Sequence, residues 1–305
     1  MHGRPTEYQS IYSHSFEKEK IQGTLNCCRN DILMLFFNMA KFSDTVTFIT
    51  GASSGMGAAL SLEIAKQGGN IVLLARRDER LQKLANDIKS MGRRILAVPC
   101  DVNNDDELRY AVEKTEEEFG RIDYVVANAG FGVAGRFDKL TIDDFRRQFE
   151  TNVFGVLKTI YATKECLIAA RGCLVIMGSI NGYIATPRLS AYSMSKFAIH
   201  GLAESLRYEF GHHGVGVVLI VPGYVRTEIR QVDKWGIYHP EMQDRVPLWL
   251  QISCEDAARQ IAQAMYRRQR IKVITCHGKL AVFLQRHCPE LLYAIVSRLS
   301  AKRII

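Results

Sequence analysis

From residue 45 onward, short β-branched runs alternate with amphipathic stretches, and no other feature limits the fold as strongly. VTFIT (46–50), NIVLLA (70–75), RILAV (94–98), IDYVVA (122–127), GCLVIMG (172–178) and VGVVLIV (215–221) have the length and composition of buried strands. Helix-like segments lie between them, near 56–68, 78–90, 105–119, 141–169 and 191–212. Strands that are apolar along nearly their whole length, joined through helices, require a parallel sheet covered on both faces. The expected fold class is therefore α/β: a single doubly wound parallel sheet with helices on both faces, flanked by an N-terminal extension and a C-terminal helical tail.

With 305 residues, 47% of them hydrophobic, the chain can bury one large core. Its eight cysteines form no CxxC pair and no Cys/His cluster, which argues against a zinc site or a disulfide framework and fits a reducing, cytoplasmic setting. The formal charge of +8 is confined to the end of the chain: residues 266–305 hold nine basic residues and one acidic residue, and the rest balances. A neutral body without a dedicated motif speaks against a nucleic-acid partner. Residues 1–40 are polar and lack sustained periodicity, so a poorly ordered extension is expected there, with Met39 as an alternative start. Its one apolar run, ILMLFF at 32–37, is far shorter than the ~20 residues that a membrane span needs.

Ligands of doubly wound sheets bind beyond the carboxyl ends of the strands, which makes strand ends the places to inspect. After the first strand comes TGASSGMG at 50–57, so Gly51, Ser53, Ser54, Gly55, Met56 and Gly57 are candidates to let a backbone approach a pyrophosphate at a helix N-terminus. The second strand ends in Arg76 and Arg77 with no carboxylate before them. A ribose 2′-hydroxyl calls for an acid at this place and a 2′-phosphate calls for a cation, so NADP(H) is preferred over NAD(H), unless the pair is merely solvated. At the end of the third strand Asp101 and Val102 could meet an adenine edge, or Asp101 could cap the helix near 105. Asn128, Ala129 and Gly130 end the fourth strand and leave room for a ligand.

SAYSMSK at 190–196 places Tyr192 and Lys196 one helical turn apart, but Tyr110 and Lys114 repeat that spacing, so spacing alone decides nothing. TGASSGMG, NAG at 128–130, Asn152 in TNVFG, Ser179 after the fifth strand, YSMSK, and PGYVRT at 222–227 together resemble the short-chain dehydrogenase/reductase family. The resemblance spans residues 43–275 and implies a Rossmann-type domain at 41–275. In that family a serine at the end of the fifth strand stands beside the catalytic tyrosine. Ser179 lies thirteen residues before Tyr192, whereas the residue thirteen before Tyr110 is Ala97, inside a strand.

The resemblance implies Asn152, Ser179, Tyr192 and Lys196 as the catalytic set. Tyr192 is the expected acid in reduction and base in oxidation, with Ser179 orienting the substrate oxygen. Lys196 is expected on the nicotinamide ribose and as the charge that draws the tyrosine pKa down from ~10. Asn152 is expected to bind a proton-relay water, Thr227 to bond the carboxamide, and Pro222, Gly223 and Val225 to shape its pocket. The function expected is hydride transfer between NADP(H) and a carbonyl or secondary alcohol, and the alternative is a nucleotide-binding regulator of the same fold without turnover. Family members are commonly homo-dimers or homo-tetramers.

Residues 228–253 form the expected substrate loop, where Trp235 and its aromatic neighbours either cover a hydrophobic carbonyl compound or pack the loop onto the body. The tail at 276–305 is basic, and Leu292, Ile295, Val296 and Leu299 mark an apolar stripe on a helix opening at Pro289. Such a helix can dock on its own domain or a second subunit, or lie peripherally on an anionic membrane surface.

Overall fold

A computed structural model describes residues 41–244 and 246–301, with side chains as far as Arg298. The expected extension at 1–40 and the final basic residues, Lys302 and Arg303, lie outside the described residues. From Phe42 onward the described residues form one compact unit. Seven strands make a single sheet: β1 (Val46–Thr50), β2 (Asn70–Ala75), β3 (Ile95–Pro99), β4 (Tyr124–Ala127), β5 (Cys173–Met177), β6 (Gly216–Val221) and β7 (Ile271–Val273). Every neighbouring pair is parallel, in the order β3-β2-β1-β4-β5-β6-β7.

Alternate strand residues enter two different cores, as the two-residue repeat of a strand requires. On one face Ile49, Leu73, Val175 and Ile220 meet the helices α1 (Gly55–Lys66) and α2 (Asp78–Ser90). On the other, Phe48, Leu74, Leu174 and Leu219 meet α3 (Asp105–Phe119), with helical residues further along such as Val156, Ile160 and Ile199. Burying each such side chain contributes roughly 1.5–3 kcal/mol, against ~0–1 for an exposed ion pair. Apolar burial on both faces therefore decides the fold.

The stretch expected as one helix at 141–169 is broken into three pieces. Helix α4 (Ile142–Phe149) opens with a capping box between Thr141 and Asp144. A π-helical turn, Glu150–Phe154, follows, and α5 (Gly155–Ala169) continues from it. The wider turn points the buried side chain of Asn152 at the backbone of Phe131.

Helix α6 (Ser190–Gly211) carries the tyrosine and lysine. Helix α7 (Cys254–Tyr266) has no counterpart in the sequence expectations. It is capped by Ser253 and buries Ala257, Ala258, Ile261, Ala262 and Met265. Two helices end the described chain, α8 (Cys276–His287) and α9 (Pro289–Ala301). Val282 and Leu292 are buried and Arg286 lies over the Tyr183 ring, so the tail docks on the body. Leu280, Phe283, Leu291, Tyr293 and Ile295 stay exposed. Among the described residues, no helix is long and apolar enough to cross a membrane.

The sheet is tied at its amino edge by Asp123, whose Oδ2 accepts a hydrogen bond from Val46 N at 2.9 Å while Arg121 forks onto both carboxylate oxygens. Asp123→Ala leaves the Val46 amide without its charged acceptor. It should destabilise the fold by about 1.5–3 kcal/mol, measured by urea unfolding with an unchanged m-value.

Candidate active site

The strand order reverses between β1 and β4, and the loops after these strands share one hydrogen-bonded knot. Thr50 Oγ1 accepts from the backbone N of Asn128 (3.0 Å) and Ala129 (3.1 Å). Asn128 Nδ2 donates to the carbonyls of Thr50 (2.9 Å) and Gly51 (3.1 Å). Gly51 has φ of +65°, and a Cβ there would stand 2.8 Å from Ala129 Cα. Gly57 has an ordinary φ, yet a Cβ on it would sit 2.5 Å from Gly51 O and 2.7 Å from Asn128 Nδ2. The glycines are thus required for a cradle in which backbone approaches backbone.

This knot floors a cleft of about 760 Å³ lined by Gly51, Ser53 to Gly57, Arg76, Arg77, Asp101, Val102 and Asn128 to Gly130. The expected cofactor positions up to Gly130 therefore share one cavity, and Thr227 joins them from the loop after β6. Arg77 donates to Ser53 Oγ, to Ser54 Oγ at 2.6 Å, and to Glu228 Oε2 at 3.1 Å. Arg80 reaches the same carboxylate at 2.7 Å, whereas Arg76 donates to Gly236 O at 3.3 Å. Burial works against the Glu228 carboxylate, but the hydrogen bonds and charges of Arg80 and Arg77 outweigh it and hold its pKa below the ordinary value. Asp101 does not cap the helix near 105. Asn104 does, accepting from Asp106 N and Glu107 N, while Asp101 Oδ1 takes the Asn103 amide at 3.0 Å.

Beyond the carboxyl end of β5, Ser179, Tyr192 and Lys196 converge. Ser179 is buried, and its Oγ accepts from Asn181 N at 3.1 Å. Burial raises the Tyr192 phenol pKa, while a hydrogen bond with Ser179 and the positive charge of Arg230 pull it down. Lys196 is buried with Nζ 2.8 Å from Met177 O and 5.8 Å from the centre of the Tyr192 ring, and burial lowers its pKa to about 8. This departs from the expected electrostatics: burial of the phenol outweighs every charge around it, and the ammonium is turned to a carbonyl. Asn152 donates to Phe131 O (3.0 Å) and Ser195 Oγ (3.3 Å), and Ser195 Oγ in turn donates to Tyr192 O at 2.7 Å. Asn152 is thereby tied to the turn of helix that carries the tyrosine.

The stretch after β6 closes over these groups. Pro222 O accepts from Ile180 N at 3.0 Å, Gly223 leaves no room for a Cβ beside Thr275 and His277, and Val225 is buried. Trp235, expected as a substrate contact, lies on Arg147 (4.0 Å from guanidinium carbon to ring centre) and lines the cleft beside Arg76 and Gly236. Arg230, Arg80 and Glu228 escaped the sequence reading. Arg80 was visible as a third cation one helical turn beyond Arg77, but Glu228 meets it across 148 residues, which no local pattern reveals.

Comparisons with known proteins follow the same lines. A family model described as short chain dehydrogenase matches residues 45–235. An 11-beta-hydroxysteroid dehydrogenase A from Sesamum indicum is 32% identical over 254 residues, spanning 81% of this chain and 73% of that protein. An A-factor type gamma-butyrolactone 1'-reductase (1S-forming) from Streptomyces virginiae is 36% identical over 206 residues, 66% of this chain and 79% of its own length. Among solved structures, a short-chain dehydrogenase/reductase from Burkholderia phymatum in complex with NAD superposes with a TM-score of 0.73 at 23% identity, covering 83% of this chain and 96% of that one, a likeness of fold. An alcohol dehydrogenase from Thermococcus sibiricus complexed with 5-hydroxy-NADP gives 0.65 at 25% identity, over 76% of this chain and 96% of that one.

The cradle can be probed without any ligand. Gly57→Ala should destabilise by about 1–3 kcal/mol through overpacking against Gly51 O. Gly120→Ala, at a helix end where a Cβ meets nothing within 4 Å but φ is +72°, should lose only about 1 kcal/mol. Equal losses in urea unfolding would show that Gly57 is not sterically locked.

Proposed function

We propose, from the premise that this chain belongs to the short-chain dehydrogenase family, that it is an NADP(H)-dependent oxidoreductase reducing a hydrophobic carbonyl compound or oxidising the matching secondary alcohol. The observation that carries this reading is the meeting of Ser179, Tyr192, Lys196 and Asn152 beside a cleft whose glycine cradle and arginine rim suit a dinucleotide. A nicotinamide held there supplies or takes the hydride. Gly51, Ser53, Ser54, Gly55, Met56 and Gly57 bind the pyrophosphate, Arg76 and Arg77 the 2′-phosphate, and Asp101 with Val102 the adenine. Asn128, Ala129, Gly130, Pro222, Gly223, Val225 and Thr227 border the ribose and nicotinamide.

Tyr192 holds the proton on its phenolic oxygen, and Ser179 holds the substrate oxygen within reach of it. The raised pKa of Tyr192 keeps the phenol protonated at neutral pH, the form needed to donate in the direction of reduction. Lys196, on leaving Met177 O, can bond the nicotinamide ribose and place a positive charge beside the phenol. Asn152 holds the end of the proton path through Ser195. The relatives named as an 11-beta-hydroxysteroid dehydrogenase and an A-factor type gamma-butyrolactone 1'-reductase support a hydrophobic substrate, as do the exposed rings of Trp235 and Trp249 on the loop after β6.

In a titration followed by nicotinamide fluorescence, NADPH should bind more tightly than NADH, and the double variant Arg76→Ala/Arg77→Ala should abolish the difference. Tyr192→Phe should retain NADPH binding and lower kcat by about 10²–10⁴-fold on any carbonyl that the native chain reduces. Unchanged turnover would remove the tyrosine from the mechanism.

A pH profile gives a separate check. The Lys196 pKa of about 8 is depressed from that of a free lysine, so the ammonium is present below that value and lost above it. Reductive kcat/KM should be level below pH about 8 and fall above it, and a limb that rises instead would contradict a required cation.

A further inference from the structure

The arginines at the rim of the cleft already hold an anion of the chain's own. Glu228 is the first residue after Thr227, at the start of the loop that closes over the site. Its Oε1 and Oε2 accept from Arg80 Nη1 at 2.7 and 2.9 Å, and Oε2 also accepts from Arg77 Nη1 at 3.1 Å. Nε and Nη2 of Arg77 are engaged as well, by the hydroxyls of Ser53 and Ser54 in the glycine loop. A single carboxylate thus bridges two guanidiniums and ties the β2–α2 junction to the loop after β6, across 151 and 148 residues of sequence.

Guanidinium forks bind carboxylates and phosphates through the same paired geometry. We infer that Glu228 acts as an internal competitor for the cofactor's 2′-phosphate, which it opposes at Arg77 and Arg80, and that it thereby sets how strongly the cleft prefers a phosphate-bearing nucleotide. This rests on the reading of Arg77 as a phosphate-binding residue. A 2′-phosphate gains Arg77 only by displacing Glu228 or the loop serines, so part of its attraction is spent on an ion pair the chain has already made. A nucleotide with a free 2′-hydroxyl makes no such exchange, and its affinity is indifferent to Glu228. The ion pair is partly exposed, with side chains 38%, 40% and 28% accessible for Arg77, Arg80 and Glu228. It is therefore weak enough to be exchanged.

The test compares the full chain with Glu228→Gln, which keeps size and shape and removes the charge. NADPH and NADH are titrated by fluorescence, and 2′-AMP and 5′-AMP by calorimetry, with thermal unfolding to verify the fold. The variant should bind NADPH and 2′-AMP about two- to fivefold more tightly, the range of one partly exposed ion pair, with NADH and 5′-AMP unchanged. Glu228→Ala should give the same shift and does not depend on how a glutamine amide re-bonds to Arg77. Unchanged or weaker binding of the 2′-phosphate ligands would overturn the inference by making Glu228 a residue that merely holds the arginines in place. Equal tightening of NADH and 5′-AMP would overturn it as a general charge effect. If the native chain prefers NADPH and the variants do not differ from it, the competition alone is wrong. If neither the native chain nor the variants prefer NADPH or 2′-AMP, the arginine reading fails and takes the competition with it.

Discussion

Everything at this site depends on the parallel pairing of β1 with both β2 and β4. A parallel sheet needs a crossover between neighbouring strands, and the crossovers leave β1 and β4 toward opposite faces, so no helix covers the gap between their carboxyl ends. The chain fills the floor of that gap with backbone, drawn together by Thr50 and Asn128. Gly51 and Gly57 are small because the two loops meet at backbone distance there, and α1 begins directly above them. The seven strands and their two apolar cores are what make this small polar knot rigid.

Much of this was legible because the information is local. Buried strands are apolar along their length, so β1, β2, β4, β5 and β6 could be placed within about two residues, and the strand ends then pointed to Gly51, Arg76, Asn128 and Ser179. What escaped depends on contacts distant in sequence or on geometry without a pattern. Helix α7 is rich in alanine because it packs closely on α1, and its apolar face reads weakly beside leucine-rich stripes. The π-helical turn at Asn152 has no signature in its residue types, since Asn152 is held there by Phe131 and Ser195. Asp101 and Asn104 are equally good caps by composition, and only the position of the first free amides selects Asn104.

The electrostatics of Tyr192 and Lys196 show the limit of reading chemistry from spacing. One turn of helix brings an ammonium near a phenol, and in water that would favour the phenolate. In the folded chain both groups are desolvated, which raises the tyrosine and lowers the lysine, each toward its neutral form. A neutral phenol and a lysine poised near neutrality suit a proton donor that is refilled rather than a permanent phenolate. The protonation states of the pair thus follow from burial, which the sequence did not display.

The loop after β6 is fastened mainly by charge. Glu228 bridges Arg77 and Arg80, Lys234 reaches the buried Asp144 at 3.4 Å, Arg230 forks onto Asp244, and Arg147 stacks on Trp235. Its large apolar residues do not anchor it: Trp249 is 83% exposed and Trp235 57%. Partly exposed ion pairs contribute ~0–1 kcal/mol each, far less than the burial of a tryptophan would. A loop held this way is fastened by contacts that are individually weak, and it leaves its rings exposed. The arrangement also joins two segments distant in sequence, because the acid that pins the loop is the one that bridges Arg77 and Arg80 after β2.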